Sequence, residues 1–167
     1  MSRPIGLAIL MTIALISIKP IASTQPEINA ASDARVRTAL DELKLEYEVS
    51  EEGNFTVGMR LPNGRKQFAW IISDTEAYGN LETRKIVSPI YLSHRPLSPE
   101  IAEKLSKDNG TKKLGTWQSL TQNEQTLTVF AAKIPAEQDT QSLKDSLAMV
   151  MQSADEKERQ LTGKDEF

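Results

Sequence analysis

Two runs of alternating apolar residues joined by a tight turn constrain this chain more than any other feature. Phe55, Val57, Met59 and Leu61 recur at every second position, the period of a strand with one buried face. Pro62-Asn63-Gly64 follows, and Asn-Gly readily takes the positive φ of a hairpin turn. Arg65–Ser73 then alternates again, with Phe68, Trp70 and Ile72 on one side and Ala69 and Ile71 on the other. Strands joined this closely must run antiparallel, because a parallel pair needs a long crossover. The second run is apolar on both faces near its end, which predicts a central strand.

The rest of the pattern fits around that hairpin. Ser32 reads as the N-cap of a helix over Asp33–Lys44, with Val36, Leu40 and Leu43 on one stripe. Glu46–Ser50 is a short strand, and Glu51-Glu52-Gly53-Asn54 a turn. Asp74–Glu82 is a polar connection, and Ile86–Leu92 a short extended piece interrupted by Pro89. Ser98-Pro99-Glu100 combines an N-cap, proline at the first helical position and an early acid. It opens a helix from Pro99 to about Lys107, with Ile101, Ala102 and Leu105 inward and Asn109-Gly110 at its end. Lys112–Leu120 and Gln125–Ile134 form a second hairpin around Thr121–Glu124, stopped by Pro135. Thr140–Leu161 is the last helix, carrying Leu143, Leu147, Val150, Met151, Ala154 and Leu161 at helical spacing. The expected class is α+β: a twisted antiparallel sheet of about five strands with three helices, order α-β-β-β-α-β-β-α.

The segment ahead of this domain has the three parts of a secretory signal peptide. Arg3 gives a positive start, Ile5–Ile18 an apolar run, and Ile21-Ala22-Ser23 a small-residue exit. Fourteen helical residues span about 21 Å, short of the ~30 Å hydrocarbon core, so a permanent membrane anchor is the weaker reading. The expected organisation is a signal peptide over 1–23, cut after Ala22 or Ser23, a flexible leader over 24–31, a domain over 32–162 and a charged tail over 163–167. The expected location is therefore outside the cytoplasm, periplasmic or secreted.

Charge and composition exclude several functions. The precursor carries a net charge of −3, and without Arg3 and Lys19 it becomes about −5. An acidic chain with no basic cluster does not suit nucleic acid, which is bound by grouped Lys and Arg. There is no cysteine, hence no disulfide, thiolate nucleophile or cysteine metal site. His94 is the single histidine and lies in a polar stretch, Ser93-His94-Arg95-Pro96. No G-x-S-x-G elbow presents a serine to it, and one histidine without cysteine makes a zinc site improbable. The run Asp155–Arg159 has the spacing of a solvated helix face with internal ion pairs. No catalytic residue, cofactor or metal ligand is therefore assigned. Asn54 and Asn109 start N-x-Thr glycosylation sequons at expected turns.

What remains is a candidate binding surface. Trp70 reads as core. Ile71 and Phe130 each lie opposite the apolar stripe of their own strand, so a second sheet face is partly apolar and needs a cover. That cover is the second helix, a homodimer partner or a client. Ile71, Trp117 and Phe130 are the partner-binding candidates.

Three passages carry a family resemblance: "VRTALDELKLEYEVSEEGNFTV", "LSKDNGTKKLGTWQSL" with Gly115 and Trp117 opening a strand, and "SLKDSLAMVMQSADEKERQL". Together they span about Asp33 to Leu161. The chain resembles the YbjN-like family, whose fold is that of type III secretion chaperones. The resemblance implies a non-enzymatic module that binds a protein or peptide, often as a dimer. The export signal departs from cytosolic secretion chaperones. A small-molecule carrier, with a pocket between sheet and helices, and a small hydrolase using His94 are the alternatives.

Overall fold

The structure, a computed structural model, describes residues 32–167. The expected signal peptide and the leader over 24–31 lie outside the described residues. The element order is α1 (Ala34–Glu42), β1 (Tyr47–Val49), β2 (Phe55–Arg60), β3 (Lys66–Tyr78), β4 (Leu81–Ser93), α2 (Pro99–Asn109), β5 (Thr116–Gln122), β6 (Gln125–Pro135) and α3 (Thr140–Thr162). The fold is α+β, with three helices and one antiparallel sheet of six strands in the spatial order β1-β2-β3-β4-β6-β5. No helix among the described residues is long and apolar enough to cross a membrane.

The expected polar connection over 74–82 is instead the paired ends of two strands, joined by a turn at Gly79-Asn80. β3 and β4 are each 13 residues long and pair from Trp70↔Val87 out to Tyr78↔Leu81. Cross-strand ladder bonds satisfy the backbone whatever the polarity of the side chains, so Asp74–Glu82 extends as a hairpin arm although its residues look like loop. Pro89 is accommodated where the register with β6 shifts, between Pro89 and Tyr91, as expected of a residue with no N–H to give the ladder.

All three helices lie on one face of the sheet. Register aligns Phe55 with Ile71, Ile71 with Ile86, and Ile86 with Ala132. These four join Val36 and Leu40 of α1, Leu105 of α2, and Leu147 and Met151 of α3 in a single buried cluster. Phe130 and Trp117 are paired in register and belong to the same cluster.

Several ends and faces differ from the sequence reading. The N-cap of α1 is Asp33, not Ser32, and its carboxylate accepts from the Arg35 amide at 2.8 Å. It also meets the buried guanidinium of Arg84 at 2.6 Å. A buried cation needs a partner, and the cap supplies it. Burial alone would raise the Asp33 carboxyl, but the bonds from Arg35 and Arg84 outweigh it and hold the group well below the usual carboxylate range. In α2, Leu105 is buried and Ile101 half-buried, while Ala102 is exposed. In α3, Leu143, Leu147, Val150, Met151 and Ala154 are buried as their spacing requires, and Gly163 ends the helix at φ 70°.

Asp108, in the last turn of α2, ties three elements together. It accepts from Trp117 Nε1 of β5 at 2.7 Å and meets Lys157 of α3 at 3.0 Å and Lys112 at 3.2 Å. Burial pushes its carboxyl up, but these donors prevail and bring it down to about 2. A depressed folded value gives stability that is present above the unfolded value near 4 and lost as pH falls towards 2. Asp108→Asn should therefore cost about 1–2 kcal/mol at pH 7. Urea unfolding at a series of pH values should show that difference vanish near pH 2; a gap independent of pH would contradict this account.

Candidate protein-binding face

The face of the sheet turned away from the helices is the candidate site. Alternation puts Phe68, Trp70 and Ile72 of β3 there, with Val87 on β4, Leu127 on β6 and Leu120 on β5. None of these six belongs to the core cluster or packs against it. Five are half-buried, and Leu120 is 57% exposed. Phe68 and Trp70 stack edge-to-face with centroids 5.0 Å apart. Between the larger side chains the small or narrow residues of β6, Val129 and Ala131, are buried outside the main core. The result is an apolar surface with a smooth floor and no helix over it. Lys85 and Lys133 stand at one end and share Glu76, at 3.0 and 2.6 Å.

This corrects the sequence reading of the sheet. Ile71 and Phe130 are fully buried, and Trp117 is buried at 6% exposure. All three are enclosed by the domain's own helices, so none offers a contact to a partner of the folded monomer. Trp70, read as core, is instead half-buried on the open face. Alternation correctly separates the two sets of side chains but assigns them to the wrong sides. Ala69 and Ile71 are smaller than Trp70 and Phe68, and that is why α3 can approach over them.

The C-terminal tail also differs from expectation. Residues 163–167 are tied back rather than free. Glu166 N donates to Glu158 at 2.7 Å, Arg65 Nη2 donates to the Lys164 carbonyl, and the Phe167 ring lies 6.3 Å from Phe68. Tail and β2–β3 hairpin enclose an open cleft of about 590 Å³ lined by Glu46, Arg60, Lys66 and Phe167, among others.

Asp155 and Glu158 are buried, not on a solvated helix face. Arg65 bonds both, Asn63 donates to Asp155 at 2.7 Å, and Asp165 lies 3.6 Å from the same guanidinium. Burial pushes the Glu158 carboxyl up, against the lowering effect of the Glu166 amide and Arg65. Oxygen atoms of Asp155, Glu158 and Asp165 gather within 4.8 Å. The Arg65 guanidinium already supplies the positive charge that such a group would require, and the cluster fastens hairpin and tail to α3.

His94 is exposed, and its ring meets Gln125 at 3.5 Å. Among the described residues this gives no triad geometry. Both sequon asparagines have structural duties. Asn54 Oδ1 accepts from Ser73 N at 3.0 Å, and Asn109 uses both ends of its amide on the Trp117 backbone. A glycan on Asn109 would displace the bond its Nδ2 donates.

Comparison with family models, with curated proteins and with solved structures found no match to the chain.

Proposed function

We propose that this is an exported, non-enzymatic binding domain of the YbjN-like, secretion-chaperone-like kind, taking a protein or peptide segment on the helix-free face of its sheet. One observation carries the reading: six apolar side chains in neighbouring strands share a face that no helix covers. Exposed apolar surface gathered in one place marks an interaction site more often than scattered exposure does. A sheet face of this kind suits an extended segment, whose alternate side chains can seat between Trp70, Val87 and Leu127.

The test is a binding titration with extended apolar peptides, followed by tryptophan emission. Wild type should bind, and Val87→Lys should weaken binding at least tenfold while its thermal midpoint stays within a few degrees. No binding by wild type, or equal binding by the variant, would reject the reading. The alternative of a small-molecule carrier, expected to use a pocket between sheet and helices, would instead use the cleft between the β2–β3 hairpin and the tail beside Phe167. A thermal-shift screen distinguishes it, since a ligand held there raises the midpoint and loses its effect in Phe167→Ala but not in Val87→Lys.

A further inference from the structure

Gly58 is a glycine that the sheet itself does not require. It sits inside β2, opposite Phe68 of β3, in a ladder that runs without a bulge from Phe55 to Arg60. Its φ is not positive, and a Cβ placed there would meet nothing within 4 Å. Neither a turn nor internal packing therefore asks for glycine, which weakens a strand. The remaining use of a glycine inside a strand is to let another backbone or a ligand come close.

The surroundings of Gly58 form one corner of the open face. Alternation along β2 and β3 puts Arg60 and Lys66 on the same side as Gly58 and Phe68. Arg60 and Lys66 stand directly opposite each other in register, and both are exposed. Like charges so placed destabilise a strand pair. Among the described residues neither has an ion-pair partner: Asp165 pairs with Arg65 at 3.6 Å and Glu166 with Lys164 at 2.8 Å, and Glu46, which lines the same cleft, pairs with neither. One segment already lies against this corner. Gly163 turns the chain back at φ 70°, and the Phe167 ring comes to rest 6.3 Å from Phe68. The tail thus seats an aromatic ring there but keeps its two carboxylates elsewhere.

We infer, resting on the open-face reading above, that this corner takes an acidic–aromatic stretch of the partner segment, which displaces the Phe167 ring from Phe68. The incoming ring replaces Phe167, its backbone passes over the bare Cα of Gly58, and the carboxylates that precede it reach Arg60 and Lys66. Such a segment meets both the apolar and the charged demands of the corner, where the tail meets only the first. That added attraction is what lets it compete with a tethered ring, whose effective concentration is high. A segment with basic residues beside the ring faces two like charges and is rejected. An apolar segment without acids binds along Trp70, Val87 and Leu127 only and leaves the tail in place. The tail is therefore a built-in occupant that restricts one end of the face to partners of matching charge.

The test uses the full chain and three amidated peptides that share one extended apolar stretch and end in Asp-Glu-Phe, Lys-Lys-Phe or Asp-Glu-Ala, with binding followed by tryptophan emission. The Asp-Glu-Phe peptide should bind at least tenfold more tightly than either of the others, and its advantage over Lys-Lys-Phe should shrink as salt rises. Arg60→Glu combined with Lys66→Glu should reverse the order of those two peptides at an unchanged thermal midpoint. Phe167→Ala should bind the Asp-Glu-Phe peptide at least threefold more tightly, because no ring has to leave. Equal affinity for Asp-Glu-Phe and Lys-Lys-Phe, with both still weakened by Val87→Lys, would overturn the inference and leave the open-face reading standing. A charge-reversed variant that keeps the wild-type order, or equal or weaker binding by Phe167→Ala, would overturn it as well. Free phenylacetate binding as tightly as the peptide would assign the cleft to a small molecule and overturn it too. Binding of no peptide at all would remove it together with the open-face reading.

Discussion

Phe130→Ala should destabilise the domain by about 3–5 kcal/mol, lowering its thermal midpoint by roughly 10 °C or more. Trp70→Ala, although it removes a larger ring, should cost only about 1–2 kcal/mol. Phe130 is fully buried, with the Trp117 ring 4.6 Å away on one side. Gly115 approaches it closely as well: a Cβ there would stand 2.8 Å from Phe130 Cζ and 2.8 Å from the Ala131 carbonyl, at φ 83°. The ring is therefore enclosed by neighbours that cannot collapse into the space it leaves, and the cavity persists. Trp70 lies on the open face, where water replaces what the ring vacates. Thermal and urea unfolding of the two variants decides the matter. A costlier Trp70→Ala than Phe130→Ala would show that the helices cover the other face.

Arg65→Ala should have an effect of similar size, about 3–5 kcal/mol at neutral pH, because it strands two buried carboxylates without their cation. Asp155 and Glu158 keep their places in α3, and Asn63 and the Glu166 amide compensate only part of the lost charge. The pH dependence is distinctive. Glu158 already has a folded value raised by burial, and losing Arg65 raises it further. A raised carboxyl weakens the fold above its folded value and ceases to do so once pH falls below the unfolded value. The deficit of Arg65→Ala should therefore shrink as pH is lowered from 7 towards 4. Glu158→Gln in the same background should recover part of it at pH 7. Denaturant midpoints of the single and double variants over this range give the measurement. A constant deficit, or an additive double variant, would mean that Arg65 acts through packing alone.

Much of the architecture was legible in the chain because it is written in local chemistry. Alternation over Phe55–Leu61 and the Asn63-Gly64 turn define a hairpin that the structure contains. The Ser98-Pro99 start defines α2, and the apolar spacing from Leu143 to Ala154 defines the buried face of α3. The hairpin arm over 74–82 was not legible, because its strand character comes from pairing partners and not from its own polar side chains. The buried acids of α3 were not legible either. Asp155 and Glu158 look like any solvated pair until Arg65, some ninety residues earlier, is brought against them.

The sequence by itself determined the period of each segment, and with it which side chains must stand together: Phe68 with Trp70 and Ile72, Ala69 with Ile71. Such patterning is a property of the backbone and needs no knowledge of neighbours. Only the tertiary structure decided which of the two sets faces inward. Both are apolar, and the choice depends on how closely α3 can lie over Ala69 and Ile71 and on how Leu147 and Met151 fill the volume above them. The open face follows from that choice, because three helices gathered on one side leave the other side of the sheet uncovered.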